Sequence, residues 1–540
     1  MEKRIVLALA ISFIIIFIYY QLIAPPPQVK KGEPERIPVA KKEIELEKPQ
    51  KMPEMELPPS AIDTEEKTIR VETPLFRAII SNRGGVIKSF VLKRYKDEKG
   101  KELELIPDFS SNTPTPFSLR LEDSISFINN SLFIPSTTEI NLKGNEKKEL
   151  TLMYSSENLA VLKKFIFSGN SYLLELEISI IRDGKPIVPS IYIGPRIGRF
   201  PLDEMKKRMD KFNISYWDGT NLIRKEDNKF SPGEIFRGFL KWSAYETNYF
   251  AVIAIPLQNS RILFERIVQP KGEPLNYIVV SNPVAIYMGP KEFGTLKRTL
   301  LRNEKIDLEK VVNFGWFGFI AQFLLIILNW LYKMIPNYGV AIILLTIILK
   351  IVLFPLTWTS MVSMAKMQKV QPKLKALREK YKKMKTDPEQ RKKYNMELMN
   401  IYKEEGINPA SGCLPLLLQL PILWGFFNLL SRAVEIRHKP FVFWIKDLSA
   451  KDPYYVIPIL MGITQFIIQK MTPSGGDPSQ KKIMLLMPIF LTIFFMNFPS
   501  GLVLYWLVQN IIQIGQQHLM NKHIYKIGKE HGKRVQRKKS

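Results

Sequence analysis

Five apolar runs dominate the second half of this chain, at about 338–357, 413–431, 454–470, 483–498 and 499–518. A helix needs roughly 17 to 25 residues to cross hydrocarbon, and the last two runs alone are each near the lower end. The last two form one stretch broken at Asn497-Phe-Pro-Ser-Gly501, which predicts a tight hairpin. Inside the first run sits a charge, Lys350. An ionisable group at membrane depth costs roughly 2.5 to 3.5 kcal/mol on insertion scales, unless it meets water, a partner or the interface. Lys350 is therefore a candidate functional residue from the outset.

The 46% hydrophobic content of these 540 residues is segregated rather than spread. Residues 1–24 read as a transmembrane anchor, with Lys3 and Arg4 before the apolar run Ile5–Ile23 and Pro25-Pro26-Pro27 after it. No small-residue cleavage site follows, so the segment is expected to stay attached with its basic end in the cytosol. Residues 25–60 are rich in Pro, Lys and Glu and are expected to form a disordered linker. From 61 to 300 the pattern changes to short alternating segments. Tyr172, Leu174, Leu176 and Ile178 share one face, with Leu173, Glu175, Glu177 and Ser179 on the other. Phe76-Arg-Ala-Ile-Ile and Phe117-Ser-Leu-Arg-Leu read similarly, and Asn82-Arg-Gly-Gly85 supplies a turn. Many short half-polar strands predict an antiparallel β-sandwich outside the cytosol.

Residues 314–334 are a sixth apolar candidate, and charge parity decides their role. Were they to span, both the basic segment 358–411 and the Lys/Arg-rich tail 521–540 would lie outside, against the positive-inside rule. An interfacial amphipathic helix within 301–335, with Trp316, Trp330 and Tyr332 at headgroup level, keeps both inside. The expected architecture is thus an α-helical polytopic membrane protein of six spans, with both termini cytosolic and a five-span core over 336–520. The net charge of +27 is then read mainly as topology and anionic-lipid attraction rather than nucleic-acid binding, and no DNA partner is expected.

Within that core, 358–411 reads as a cytosolic helical hairpin. Val370, Leu374, Leu377, Tyr381 and Met384 keep a 4-3-4-3 spacing, answered by Tyr394, Leu398 and Ile401. Asp387 is the expected N-cap of the returning helix and Pro388 its first residue. Lys373, Lys375 and Arg378 belong to its densely basic outer face.

No catalytic constellation stands out. The four histidines show no metal-ligand spacing, and Gly194-Pro-Arg-Ile-Gly198 lacks the frame of a phosphate loop. The chain is read as a non-enzyme without cofactor or metal, and Cys413, its single cysteine, excludes an intrachain disulfide. Thr346 lies one turn before Lys350 on the same helix face. Gln419, Gln465, Gln469, Gln509, Asn510 and Gln513 place amides on three other spans, with no acidic residue at matching depth. Two readings stay open from spacing. Lys350 snorkels to the inner interface while the amides join helices, or these residues line a wet cavity. Met361, Met364 and Met367 are read as packing rather than as an adaptable binding face.

Asn337-Tyr-Gly-Val-Ala-Ile-Ile, Phe354-Pro-Leu-Thr357, Ser363-Met-Ala-Lys-Met367, Gln371-Pro-Lys-Leu, Asn408-Pro409 and Gly412 through Pro421 together resemble a known family, the YidC/Oxa membrane protein insertases. Trp444-Ile-Lys-Asp-Leu-Ser, Asp452-Pro-Tyr-Tyr and Phe498-Pro-Ser-Gly-Leu-Val-Leu-Tyr505 continue the likeness, with weaker support from Tyr287-Met-Gly-Pro-Lys291 and Asn313-Phe-Gly-Trp-Phe317. The resemblance implies a five-helix core in the inner membrane around a hydrophilic groove open to the cytosol, with a periplasmic β-sandwich. It implies that the groove guides nascent membrane proteins into the bilayer, alone or with a Sec-type translocon. The ribosome would meet the basic tail and the hairpin. By this resemblance Lys350 takes a groove position that usually carries Arg, and Thr346 and Gln419 match groove-lining positions. Trp506 falls where relatives have an aromatic, often Tyr, that contacts substrate, with Tyr505 beside it. A secondary transporter with a mid-membrane polar site is the alternative reading.

Overall fold

The computed structural model describes residues 62–106, 113–120, 126–198, 205, 210–229, 233, 235–237, 240–257, 261–267, 275–381, 387–406, 414–471 and 478–537. The expected anchor and linker, 1–60, lie outside them, as do Met384 and Cys413.

Period-two patterning builds the first part. Strands β1 (Thr68–Glu72), β2 (Phe76–Ser81), β3 (Val86–Lys96), β4 (Glu102–Glu104) and β6 (Glu139–Asn141) form one sheet in the order β4-β3-β2-β1-β6. The Asn82–Gly85 turn joins β2 to β3, with Gly84 and Gly85 both at positive φ. A ten-stranded sheet contains β5 (Ile134–Pro135), β7 (Lys147–Ser155), β8 (Leu159–Ser168), β9 (Leu173–Arg182), β10 (Lys185–Ile187), β12 (Asn213–Trp217), β13 (Leu222–Glu226), β15 (Trp242–Glu246), β16 (Phe250–Pro256) and β19 (Pro283–Pro290). In β9 the inward Leu174, Leu176 and Ile178 are buried as their spacing requires. A third sheet runs β11-β18-β17-β14, with β11 at Ser190–Ile193, β14 at Ile235–Arg237, β17 at Arg261–Ile267 and β18 at Leu275–Ser281.

Two features depart from the antiparallel expectation. β1 and β6 pair in parallel, Arg70 opposite Glu139, because the chain returns to the edge of the first sheet only after a long excursion. Of the segment expected as a strand from Phe117, the described residues Phe117–Arg120 are not one. Phe117 sits at φ 72° in a turn closed by the Ser118 N–H on the Thr115 carbonyl, and Leu119 makes an isolated bridge to Ile191. The Asn129 side chain takes both the N–H and the C=O of Leu119, replacing a strand neighbour. Asn129 belongs to α1 (Ser126–Asn130). The β-rich part also runs past residue 300, through a small hairpin at Leu300–Lys305 that follows α2 (Phe293–Arg298).

The remaining helices are α3 (Gly318–Met334), α4 (Tyr338–Val352), α5 (Phe354–Lys380), α6 (Pro388–Glu404), α7 (Leu414–Arg432), α8 (Val456–Met471), α9 (Pro478–Phe495) and α10 (Ser500–Arg537). Among the described residues no single helix is long and apolar enough to cross a bilayer. The pair Tyr338–Val352 and Phe354–Ser363, bent by 60°, meets that test together. The run expected to be one span at 338–357 therefore breaks at Leu353. Pro355 supplies the reason, since it has no N–H to donate to the Ile351 carbonyl.

α3 packs Leu324, Leu325, Leu328 and Leu331 against α7 and α4. Its opposite face, Phe319, Phe323, Ile326, Trp330 and Met334, is also apolar and is exposed. The helix is thus apolar on both sides rather than amphipathic. Trp316 and Trp330 are exposed as expected, but Tyr332 turns inward and stacks on Tyr338 with ring centroids 4.0 Å apart. α10 packs along α8 and α4, which sets the polar residues of three helices against one another.

Candidate functional site

Lys350 is buried to 8% exposure near the C-terminal end of α4. Among the described residues its hydrogen-bond partner is the Gln513 side-chain oxygen at 3.4 Å. An ammonium has three N–H donors, so one long bond to a neutral amide leaves it poorly satisfied. Thr346, one turn earlier on the same face, is buried but directs its hydroxyl to the Ile342 carbonyl of its own helix at 2.7 Å. Shared face and shared burial are thus present, while a direct Thr346–Lys350 bond is not.

α10 contributes a stripe at helical spacing: Tyr505, Trp506, Gln509, Asn510 and Gln513. Tyr505 is buried, stacked on Phe426 at 4.2 Å, and its hydroxyl accepts from the Gln419 amide at 3.1 Å. That hydroxyl thus ties α10 to α7. The Trp506 indole N–H points toward the Gln465 carbonyl oxygen at 3.4 Å and its ring packs on Phe495 at 5.0 Å. Asn510 donates to the Met461 carbonyl at 3.3 Å and to Thr464 at 3.2 Å. Four of the five groove candidates thus fall into three separate polar pairs strung between α4, α7, α8 and α10, while Thr346 stays bonded within α4. Thr464 was not singled out from sequence, since a lone threonine in an apolar run carries no spacing signal.

The hairpin residues occupy a different place. Val370, Leu374 and Leu377 are buried on α5, with Leu398, Ile401 and Tyr402 of α6 packed against the first two. Tyr381 meets Tyr394 edge-on at 6.3 Å. Asp387 caps α6 by accepting from the Glu389 and Gln390 N–H groups at 2.9 and 3.4 Å, with Pro388 as first residue. Lys373 pairs with Glu405 at 2.6 Å, Lys375 is exposed and Arg378 is half-buried. Met361 is buried and Met367 packs into the hairpin seam.

Two groups of buried charges lie on the β-rich part. Glu246 accepts from Arg224 at 2.6 Å and from Lys291, and Arg224 also reaches the Val311 carbonyl at 2.7 Å. Burial pushes the Glu246 carboxyl up, but the two cations outweigh it and hold it below the usual carboxylate range. Lys163 is fully buried and donates to the carbonyls of Gly84, Phe117 and Gly85 at 2.7, 3.0 and 3.2 Å. Burial lowers its ammonium to about 7. Alternation along β8 places Lys163 inward with Val161 and Phe165, a signal present in the sequence. An open cleft of about 520 Å³ lined by Thr137, Glu139, Lys147 and Glu149 shares no residue with the helical site.

Comparison with known proteins agrees with this division. The 60Kd inner membrane protein family matches residues 330–527, and the YidC periplasmic domain matches residues 68–327. The membrane protein insertase YidC of Geotalea daltonii is 35% identical over 542 residues, covering 97% of this chain and 100% of the relative. That of Geotalea uraniireducens is 36% identical over 546 residues, with the same coverage. A YidC crystal structure from Thermotoga maritima covers 85% of this chain and 99% of its own, at 16% identity and a TM-score of 0.31. A helical membrane core joined to a periplasmic β-rich domain is the class so defined. Within that class, the chain belongs to the YidC family of membrane protein insertases.

Proposed function

We propose that this chain inserts nascent membrane proteins into the inner membrane by receiving their polar segments on the stripe between α4, α8 and α10. The observation that carries this is Lys350: a cation held inside the helical core by one long bond to an amide. Such a charge can exchange its weak partner for a carboxylate of an incoming chain at little cost. The surrounding amides offer both donors and acceptors, so they suit varied polar segments. Partition of the apolar segment into lipid supplies the free energy. An ammonium serves as a point charge without the bidentate fork of a guanidinium, so recognition here is by charge more than by geometry.

Six spans with both termini in the cytosol remain the count that keeps the hairpin and the basic tail inside. In that frame the anchor is 1–24, the β-rich domain projects into the periplasm, and the groove candidates open toward the hairpin. The basic hairpin and tail fit a ribosome surface, and a Sec-type translocon is a further partner. The full-length relatives, named as insertases, do not favour the transporter reading.

Photo-crosslinking tests the site. Crosslinkers at Gln419, Trp506 and Gln513 should capture a ribosome-stalled nascent membrane protein more strongly than crosslinkers at the exposed apolar positions Ile463 and Ile511. Equal labelling at both sets would remove the stripe as the receiving surface.

A further inference from the structure

The segment between α7 and α8 carries a feature that the insertion site does not use. Val442 and Phe443 form the tip of a small loop, and Phe443 is 88% exposed. Its backbone sits at φ 50°, a conformation that favours glycine. A bulky aromatic residue is costly there unless its surroundings hold it in place.

They do. The Phe441 N–H donates to the Ile445 carbonyl at 2.9 Å, and the Leu448 N–H to the Lys439 carbonyl at 3.0 Å. The Asn337 side chain, which caps α4, also donates to the Phe441 carbonyl at 2.9 Å. The Phe441 ring lies so close to Gly339 that a methyl group there would come within 2.0 Å of it. The Trp444 indole donates to Asp452 at 3.0 Å, and Asp452 accepts from the Ile457 N–H at the start of α8. Phe441, Trp444 and Ile445 thus hold the loop on the core, while Val442 and Phe443 are turned outward. Lys439 and Lys446 are exposed on either side of the tip.

We propose that this loop is a membrane wedge: Val442 and Phe443 insert into the periplasmic leaflet beside the core, and Lys439 and Lys446 meet the anionic phosphates of its headgroups. The occupant follows from the chemistry. Exposed apolar side chains bracketed by lysines match an apolar layer under a phosphate layer. The loop is bonded to the N-terminal ends of α4 and α8, so it has little freedom to retract. The inference rests on the family reading only for the side of the membrane on which the loop lies.

The test uses the full chain with Cys413→Ser, and an environment-sensitive fluorophore on Phe443→Cys, Phe319→Cys or Val188→Cys. Phe319 is an exposed apolar position on α3, and Val188 is an exposed position on the β-rich domain. Each protein is reconstituted in vesicles of phosphatidylethanolamine and phosphatidylglycerol. Quenching is measured with lipids labelled near the headgroup and with aqueous iodide. The wedge predicts that position 443 is quenched by labelled lipid and shielded from iodide, as position 319 is, while 188 shows the reverse. Lys439→Gln with Lys446→Gln should weaken lipid quenching at 443 in vesicles containing phosphatidylglycerol. A 443 label as open to iodide as that at 188 would overturn the wedge. So would shielding that appears only when a second protein is present. Lipid quenching at 319 reports on membrane embedding separately, so loss at 443 alone counts against the wedge and not against the insertase reading.

Discussion

Two buried lysines in this molecule have opposite surroundings. Lys163, in the β-rich domain, is fully buried and meets three backbone carbonyls within 3.2 Å. Lys350, in the helical core, is 8% exposed and, among the described residues, meets one amide oxygen at 3.4 Å. Glu246, fully buried with two cations on it, belongs with Lys163. Where the protein buries a charge for architecture, it fills that charge's bonding capacity. In the proposed function, the capacity left unfilled at Lys350 is what receives a partner from outside.

Breaking the filled sites should cost most. Glu246→Ala leaves Arg224 and Lys291 without their buried carboxylate, and such losses run to about 3–5 kcal/mol. Thermal unfolding of the whole chain in detergent should show the largest drop for this variant. Lys163→Met strands three carbonyls and should cost about 1–3 kcal/mol. It also changes the pH response. With the folded ammonium near 7 and the unfolded one near 10.5, the unfolded chain binds the extra proton between those values. This group therefore makes stability rise with pH from about 7 to about 10.5, with no slope below. Lys163→Met should remove that slope, and an unchanged slope would assign it to other groups. Asn337→Ala removes the cap of α4 and the tie to Phe441, at about 1 kcal/mol.

Lys350→Met should be the mildest for stability, within about 1 kcal/mol, since a single long bond is lost. Its effect should appear in insertion assays instead, with substrates carrying acidic translocated segments most impaired. Lys350→Arg should keep activity, and Lys350→Glu should lose it for those same substrates. If Lys350→Met destabilised the fold as much as Lys163→Met, the contrast between the two lysines would fail. Equal activity of Lys350→Glu across substrates would return Lys350 to a snorkelling role.

What could be read from the sequence follows the range of each interaction. The Asp387 cap, the turn at Asn82–Gly85 and the break before Ser500 depend on neighbours within a few residues, and all are present. The oddity of Lys350 was equally local. Its partner Gln513 lies 163 residues away, and Gln419 lies 86 from Tyr505, so those pairings depend on how the helices pack. Pro355 was visible, but its effect on the run 338–357 was outweighed by the continuity of apolar residues. The strand expected at Phe117 failed because a side chain, Asn129, did the work of a neighbouring strand.

The bend at Leu353 has a mechanical consequence. α5 runs unbroken from that bend to Lys380, 27 residues, or about 40 Å at the helical rise. It is a crank whose pivot lies three residues from Lys350. A tilt of about 10° at the pivot would move the far end by roughly 7 Å, given that length. Conversely, were α5 to turn rigidly about that bend, a load placed on the basic hairpin would be delivered, reduced in amplitude and raised in force, beside the lysine.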